Sequence, residues 1–298
     1  MSSTRELRLR VRSIKNLAQV TKALETVSAS YVRKAVQATL ATRPYSEKAW
    51  KVLVHLACQP GHANLHPLLR ERGEIRKVLV VMISSDRGLA GAYNVNILRE
   101  TLNHFANSPV PVSYVAVGRK GRDLLFRRKK DVIAEFSHLP SPPSFTDVSA
   151  IGRLVVDDFE KGIFDQVFIA YTEFTNMVVQ RPIVRKLLPL EVTYSENENE
   201  HDFNVTHHQT KAVFTYEPDQ VELLNSIVPR FTALQIYQAI LSAQASEHAA
   251  RMVAMRNATE SAKELVGVLQ LEYNKLRQQL ITSEMLDITG GAEALSKG

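Results

Sequence analysis

Near the start of the chain, apolar residues fall at Leu7, Val11, Ile14, Leu17, Val20, Leu24, Val27 and Tyr31, in steps of three or four. A mean step close to 3.5 is the period of a coiled-coil seam. No glycine interrupts residues 1–60, and the first proline is Pro44. The spacing predicts a helix over 4–57, roughly 80 Å long at about 1.5 Å per residue, kinked or frayed at Pro44. The C-terminal pattern is more regular still. Met252, Met255, Thr259, Ala262, Val266, Leu269, Tyr273, Leu276 and Leu280 alternate steps of three and four. The series extends back through His248, Ala245, Leu241, Gln238, Leu234, Phe231, Ile227 and Leu224. Asp219 with Glu222 reads as a capping box, Pro229 as a bend and Gly290-Gly291 as the stop, giving a helix about 100 Å long.

Helices of that length need a partner for their apolar stripe. Each is the other's natural candidate within the chain, so an antiparallel, left-handed coiled coil is expected, with the longer C-terminal helix projecting past its partner as a shaft. The middle of the chain follows another pattern. Val78–Ser84 is a continuous apolar run, as buried parallel strands are, and similar runs occur at 112–117, 131–136 and 166–171. Helical segments at 94–106, 119–128 and 147–161 separate them. That alternation predicts a doubly wound, Rossmann-like α/β domain. A turn near Thr175-Asn176 and an antiparallel edge strand at 183–188 should close it. The expected division is an N-terminal coiled-coil helix over 1–60, an α/β domain over 75–190, a polar, mobile linker over 191–216 and a C-terminal coiled-coil helix over 217–290.

Composition narrows the function classes. Of 298 residues, 45% are hydrophobic and 23% charged, which suits one or two domains with a real core. No apolar run is long enough to span a bilayer. The single cysteine, Cys58, rules out an internal disulfide and fits a reducing compartment. The closest histidine sets, His62/His66 and His207/His208, lie in polar, loop-like sequence and read as surface residues, not metal ligands. The net charge is +6, and residues 1–40 alone carry that balance through Arg5, Arg8, Arg10, Arg12, Lys15, Lys22, Arg33 and Lys34 against Glu6 and Glu25. A targeting peptide also avoids acidic residues, but the apolar spacing runs on from Leu7 without a break, so the segment reads as folded protein.

Catalytic motifs are missing. The turn after the first strand, Ser84-Ser-Asp-Arg-Gly88 with Gly91, stands where α/β folds bind phosphate. Its glycine spacing is neither a dinucleotide fingerprint nor a Walker loop. The simpler reading is a tight strand-to-helix turn, with Asp86 accepting backbone N–H bonds and Arg87 pairing locally. The cations at 127–130 raise a nucleic-acid hypothesis, yet a short helix favours cations at its C-terminus and no reading motif accompanies them.

The C-terminus carries a more specific signal. Ile281-Thr-Ser-Glu284, Asp287 and Gly291-Ala-Glu-Ala294 read as Ile-Thr-x-Glu-x-x-Asp-x-x-x-Gly-Ala-x-Ala. This resembles the signature of the gamma subunit of F-type ATP synthase, and matches it throughout. Glu247–Met255, Leu271–Gln278, Arg12–Asn16, Val20–Leu24 and Ser85–Leu89 look like the same family's segments, in the same order. The likeness is dense over roughly the first 35 and last 60 residues and sparse between.

The resemblance implies a central rotor shaft and no active site or cofactor. The implied partners are a ring of three alpha and three beta subunits, the epsilon subunit and the membrane ring of c subunits; nucleic acid is not among them. Proton flow would turn the shaft, and ATP would be made on beta. Carried over by position, Arg277, Gln278 and Thr282 match residues that engage a catch loop of beta. Arg251 matches the arginine of the rotor helix and is implied as a further contact with beta, and Leu24 faces the acidic lever loop of beta. Tyr216 and Glu217 match the foot on the c ring, and Asp86, Arg87 and Gly88 belong to the family's turn. The chain departs from the family at Leu24, Thr26, Ala90 and Ala92, and has no cysteine pair for a thiol switch. The expected location is the cytoplasmic side of a bacterial plasma membrane, held there peripherally.

Overall fold

The computed structural model describes residues 4–57, 66–70, 72–190 and 220–296. Cys58, His62, the expected linker over 191–216, His207, His208, Tyr216, Glu217 and the cap at Asp219 lie outside the described residues, as does the side chain of Glu222. His66, expected at the surface, is buried, because its Nδ1 accepts the Leu68 N–H and caps a short turn of helix. Two helices dominate: α1, Thr4–Ala57, with Pro44 inside it, and α5, Gln220–Ser296, with Pro229 inside it. Between them come β1 (Val78–Ile83), α2 (Tyr93–His104), β2 (Val112–Val117), α3 (Arg119–Arg127), β3 (Asp131–Phe136), α4 (Phe145–Glu160), β4 (Gln166–Phe174) and β5 (Gln180–Leu188). The chain divides into two compact units, one of residues 1–28 with 252–298 and one of residues 29–251.

In the larger unit the five strands form one sheet in the order β3-β2-β1-β4-β5. The first four are parallel and β5 runs antiparallel to β4. Strand alternation sends Val78, Val80 and Met82 of β1 to one face, against Ile97 and Leu98 of α2 and Leu125 of α3. Leu79, Val81 and Ile83 go to the other, against Val148, Ile151, Val155 and Phe159 of α4 and Phe231 of α5. With both faces covered, β1 is buried along its whole length, which is why it reads as an unbroken apolar run. β3 does not: it is an edge strand, and Asp131, Ile133 and Glu135 are exposed, so its expected reading as a buried run is corrected. Trp50 of α1 stacks on Phe231 of α5 at 5.5 Å, and α4 meets α5 so closely that a Cβ on Gly152 would lie 2.8 Å from that of Ala233. In this unit α1 and α5 are antiparallel, since Tyr31 stacks on His248 and Ser46 bonds Gln238.

In the smaller unit the hydroxyls of Thr21 and Thr259 meet at 2.7 Å, both buried. On α5 the expected seam is observed as far as Leu276: Met255, Thr259 and Ala262 are buried, and Val266, Leu269, Tyr273 and Leu276 half-buried, whereas Leu280, also expected in it, is exposed. On α1 it is not. Leu7, Val11, Ile14 and Leu24 hold, but the stripe also takes in Ala18, Thr21, Glu25 and Ser28, one position later than expected. Leu17, Val20 and Val27 are instead 55%, 56% and 50% exposed. Counting equal antiparallel steps from Thr21 and Thr259 brings Thr4, the first residue of α1, level with Leu276. Burial on α5 ends there. The helix itself continues through Gly290 and Gly291, which do not stop it because neither adopts the positive φ of a C-terminal cap.

Candidate functional site

Three sets of residues carry the functional question: the turn after β1, the part of α5 beside it, and the exposed end of α5. In the turn, the Ser84 hydroxyl lies 3.0 Å from the Val117 carbonyl and accepts from the Gly121 N–H at 2.8 Å. Asn94 Oδ1 accepts the Ser85 N–H, and the Ser85 hydroxyl donates to the Arg87 carbonyl. The Asp86 carboxylate accepts the N–H groups of Arg119 and His138 at 3.0 and 2.8 Å. Arg119 opens α3, so the N–H at this helix terminus already holds an internal anion. Arg87 was expected to pair locally; its side chain is exposed, and its contribution here is its carbonyl.

Gly88 is sterically open, the nearest atom to an added Cβ being Lys120 Cε at 3.9 Å. The tight glycines are Gly118 and Gly121, where a Cβ would meet the Ser84 carbonyl and hydroxyl at 2.4 Å. Sequence reasoning passed over this pair. Its signal was two glycines flanking Arg119-Lys120 directly after a strand, at the second crossover instead of the first.

At the carboxyl ends of β1 and β4, where open α/β sheets bind ligands, lies α5. The Tyr93 hydroxyl donates to the Ala243 carbonyl, the Ser246 hydroxyl donates to the Thr172 carbonyl, and the Phe174 N–H donates to Ser242. One turn on, Arg251 reaches the Gly88 carbonyl through Nε at 3.2 Å and the Arg87 carbonyl at 3.4 Å, and pairs with Glu247. Only 8% of Arg251 is exposed. Burial pushes the Glu247 carboxyl up while Arg251 opposes it. His248, stacked on Tyr31 and bonded to the Ser141 hydroxyl, is held down at about 4 by burial and by the charges of Arg251 and Arg87. The crevice is therefore filled by the chain itself, although the Thr172 hydroxyl and the Gln244 side-chain oxygen are buried there without a hydrogen-bond partner among the described residues.

The structure separates the remaining sequence-predicted residues. Leu24 is half-buried in α1. Arg277, Gln278 and Thr282 are exposed on α5, with the Thr282 hydroxyl turned back to the Gln278 carbonyl. Leu280, Ile281, Met285, Leu286 and Ile288 are between 44% and 71% exposed. The exposed cations at 127–130 accompany Phe126, itself exposed at the end of α3.

Comparison with known proteins places this arrangement. The sequence profile of the family described as ATP synthase matches residues 3–295. The ATP synthase gamma chain of Dehalococcoides mccartyi strain 195 is 45% identical over 300 residues, covering 99% of this chain and all of its own length. That of Roseiflexus castenholzii is 42% identical over 300 residues, with complete coverage of both. Among solved structures, a chain of the Euglena gracilis mitochondrial ATP synthase, in a structure of its OSCP, F1 and c-ring, superposes with a TM-score of 0.67 at 20% identity, over 98% of this chain and 94% of that one. This likeness shows the shared fold. With identity above two-fifths along its entire length, the chain belongs to the ATP synthase gamma-chain family.

Proposed function

We propose that this chain is the central rotor of an F-type ATP synthase, carrying rotation between the proton-driven c ring and the catalytic beta subunits without an active site of its own. Alongside the family match, the observation that carries this reading is the end of α5. Its paired face stops at Leu276, and the helix continues with large apolar side chains in solvent. Such a surface marks a site of interaction, and on a protruding helix it suits a partner that surrounds it. A ring of three alpha and three beta subunits is the partner that the family implies. The basic face of α1, with Arg5, Arg8, Arg10, Arg12 and Lys15 exposed, suits acidic loops of beta.

The lack of catalysis by the chain itself fits the filled crevice of its α/β domain. Among the described residues no helix is long and apolar enough to cross a membrane. In this reading the rotor is held through the c ring and epsilon, at the cytoplasmic face of the plasma membrane, with Tyr216 and Glu217 at the c-ring contact. Arg277, Gln278 and Thr282 engage the catch loop of beta, and Leu24 faces its lever loop. Arginine suits a contact that is made and released, because its rigid fork holds a carboxylate or carbonyls without covalent commitment.

Purification of the tagged chain tests the reading directly. It should bring down alpha, beta and epsilon in one large complex, and its appearance as a free monomer would refute the assignment. A hydrogen bond involving a charge is worth about 1.5–3 kcal/mol, and about 1.4 kcal/mol changes an equilibrium tenfold. Arg277→Ala should therefore slow ATP turnover by roughly tenfold or more in complexes of normal subunit content. Wild-type rates of both synthesis and hydrolysis would remove Arg277 from the catch.

A further inference from the structure

The resemblance puts Arg251 on the surface that meets beta, but its guanidinium is turned inward. It is buried, forked across the carbonyls of Arg87 and Gly88, and paired with Glu247 one turn back on the same helix. We infer that Arg251 is a positioning residue, a torsional tie that fixes α5 to the turn after β1 so that torque on the α/β domain reaches the helix instead of letting it roll. This inference rests on the rotor reading.

The argument is mechanical. A helix packed on a domain through apolar contacts alone can roll about its own axis, because dispersion is non-directional and many side-chain arrangements are nearly equivalent. Directional bonds set away from the helix axis oppose that motion. From Ser242 to Arg251, α5 makes a sequence of them: Ser242 to the Phe174 N–H, the Ala243 carbonyl to Tyr93, Gln244 to the Pro140 carbonyl, Ser246 to the Thr172 carbonyl and His248 to Ser141. Arg251 closes this series, and it is also the last residue of its compact unit. It is the charged member and the only one here that bridges two successive carbonyls of another element. A buried guanidinium bonded to both a carboxylate and carbonyls cannot shift without leaving charges or carbonyls unpaired. Glu247 acts through Arg251, holding the fork in orientation.

The test separates an internal tie from a contact with beta. Arg251→Lys keeps a charge for Glu247 but replaces the fork with a single ammonium, and Arg251→Ala removes both. Each is assembled in two forms: alpha, beta and this chain without the c ring, where hydrolysis runs unloaded, and the whole complex in vesicles, where it pumps protons against a gradient. The expected result is unloaded hydrolysis within about twofold of wild type and protons pumped per ATP reduced at least fivefold, with Glu247→Gln intermediate. Equal losses in both forms would place Arg251 against beta, and unchanged pumping would remove the tie; either overturns the inference. So would failure of the lysine variant to assemble, since the residue would then serve folding and not transmission. Failure of the wild-type chain to assemble with alpha and beta would instead refute the rotor assignment itself.

Discussion

Replacing Gly118 by alanine is the sharpest perturbation the fold offers, because two independent costs meet at one atom. Gly118 links β2 to α3 with φ +99° and ψ 136°, a conformation that L side chains rarely adopt. Holding a non-glycine residue in such a region costs about 1–3 kcal/mol. The new methyl would also stand 2.4 Å from the Ser84 carbonyl oxygen and 2.7 Å from its hydroxyl, far inside contact distance. Overpacking a tight interior site costs about 1–3 kcal/mol more. Ser84 cannot move freely to relieve it, since its hydroxyl accepts the Gly121 N–H and its own N–H donates to the Val117 carbonyl. The total is about 2–6 kcal/mol, and about 1 kcal/mol lowers the midpoint of a domain of 150–250 residues by about 2–4 °C. Thermal denaturation of the purified variant should therefore show a drop of at least about 4 °C, with faster amide exchange in β1, β2 and α3. Gly88→Ala is the control: its methyl meets open space, so the midpoint should move by less than about 0.5 kcal/mol would produce. If the two variants melt alike, the steric account of this turn is wrong.

Other expectations follow the same physics. Met255 is buried in the seam and Leu269 half-buried, so Met255→Asp should impair assembly more than Leu269→Asp, as read by the yield of intact complex; the reverse order would refute the observed seam. His248 titrates at about 4 in the folded chain against 6.5 when unfolded, so between those values only the unfolded state binds the proton. Stability from this group is present above pH 6.5 and lost as pH falls towards 4, by on the order of 3 kcal/mol, while Glu247 with its raised value acts in the opposite sense. His248→Leu should flatten the fall in melting temperature from pH 6.5 to 4.5, and an unchanged profile would show that His248 does not carry it.

Much of this was legible in the sequence, and the misses have physical reasons. The period of α1 was readable, but two adjacent sets of positions both carry steps of three and four. Choosing the more apolar set selected Leu17, Val20 and Val27, whereas the helix buries Thr21 and Ser28 and half-buries Ala18. Hydrophobicity ranks side chains against water and says nothing about which stripe fits a closely approaching helix. β1, β2 and β4 were visible as apolar runs because a sheet covered on both faces needs them. β3 was found by the same rule, although as an edge strand it is only half-buried. Arg251 was assigned to the contact with beta by its position in the family resemblance alone, which says nothing of which way the side chain turns. The clue to its burial was Glu247 four residues earlier, beside an apolar stripe, a spacing that lets the pair bond on one helix face. The filled crevice had no local signal, since α5 reaches β1 and β4 from far along the chain.

The inverted arrangement of α1 has a consequence for how the smaller unit works. Burying Leu17, Val20 and Val27 instead of Ala18, Thr21 and Ser28 would remove more apolar area from water, at about 25 cal/mol per Å². The helix does the opposite, so stability of the isolated pair is not what this seam optimises. Small residues at a helix interface allow the axes to approach closely, and the separation of packed helices depends on the side chains between them. The buried pair Thr21–Thr259 adds a hydroxyl contact that is satisfied in one register, because Thr259 also donates to its own Met255 carbonyl and Thr21 lies near those of Leu17 and Ala18. A slip by one turn would part the two hydroxyls and leave each with its own helix's carbonyl alone, so the seam trades burial for a contact made in one register. The large apolar side chains left on the outside are then available to a surrounding surface. In a rotor, that surface changes with every step. A narrow, registered pair with its bulky residues outward can meet several such surfaces in turn, while the relation between its two helices stays the same.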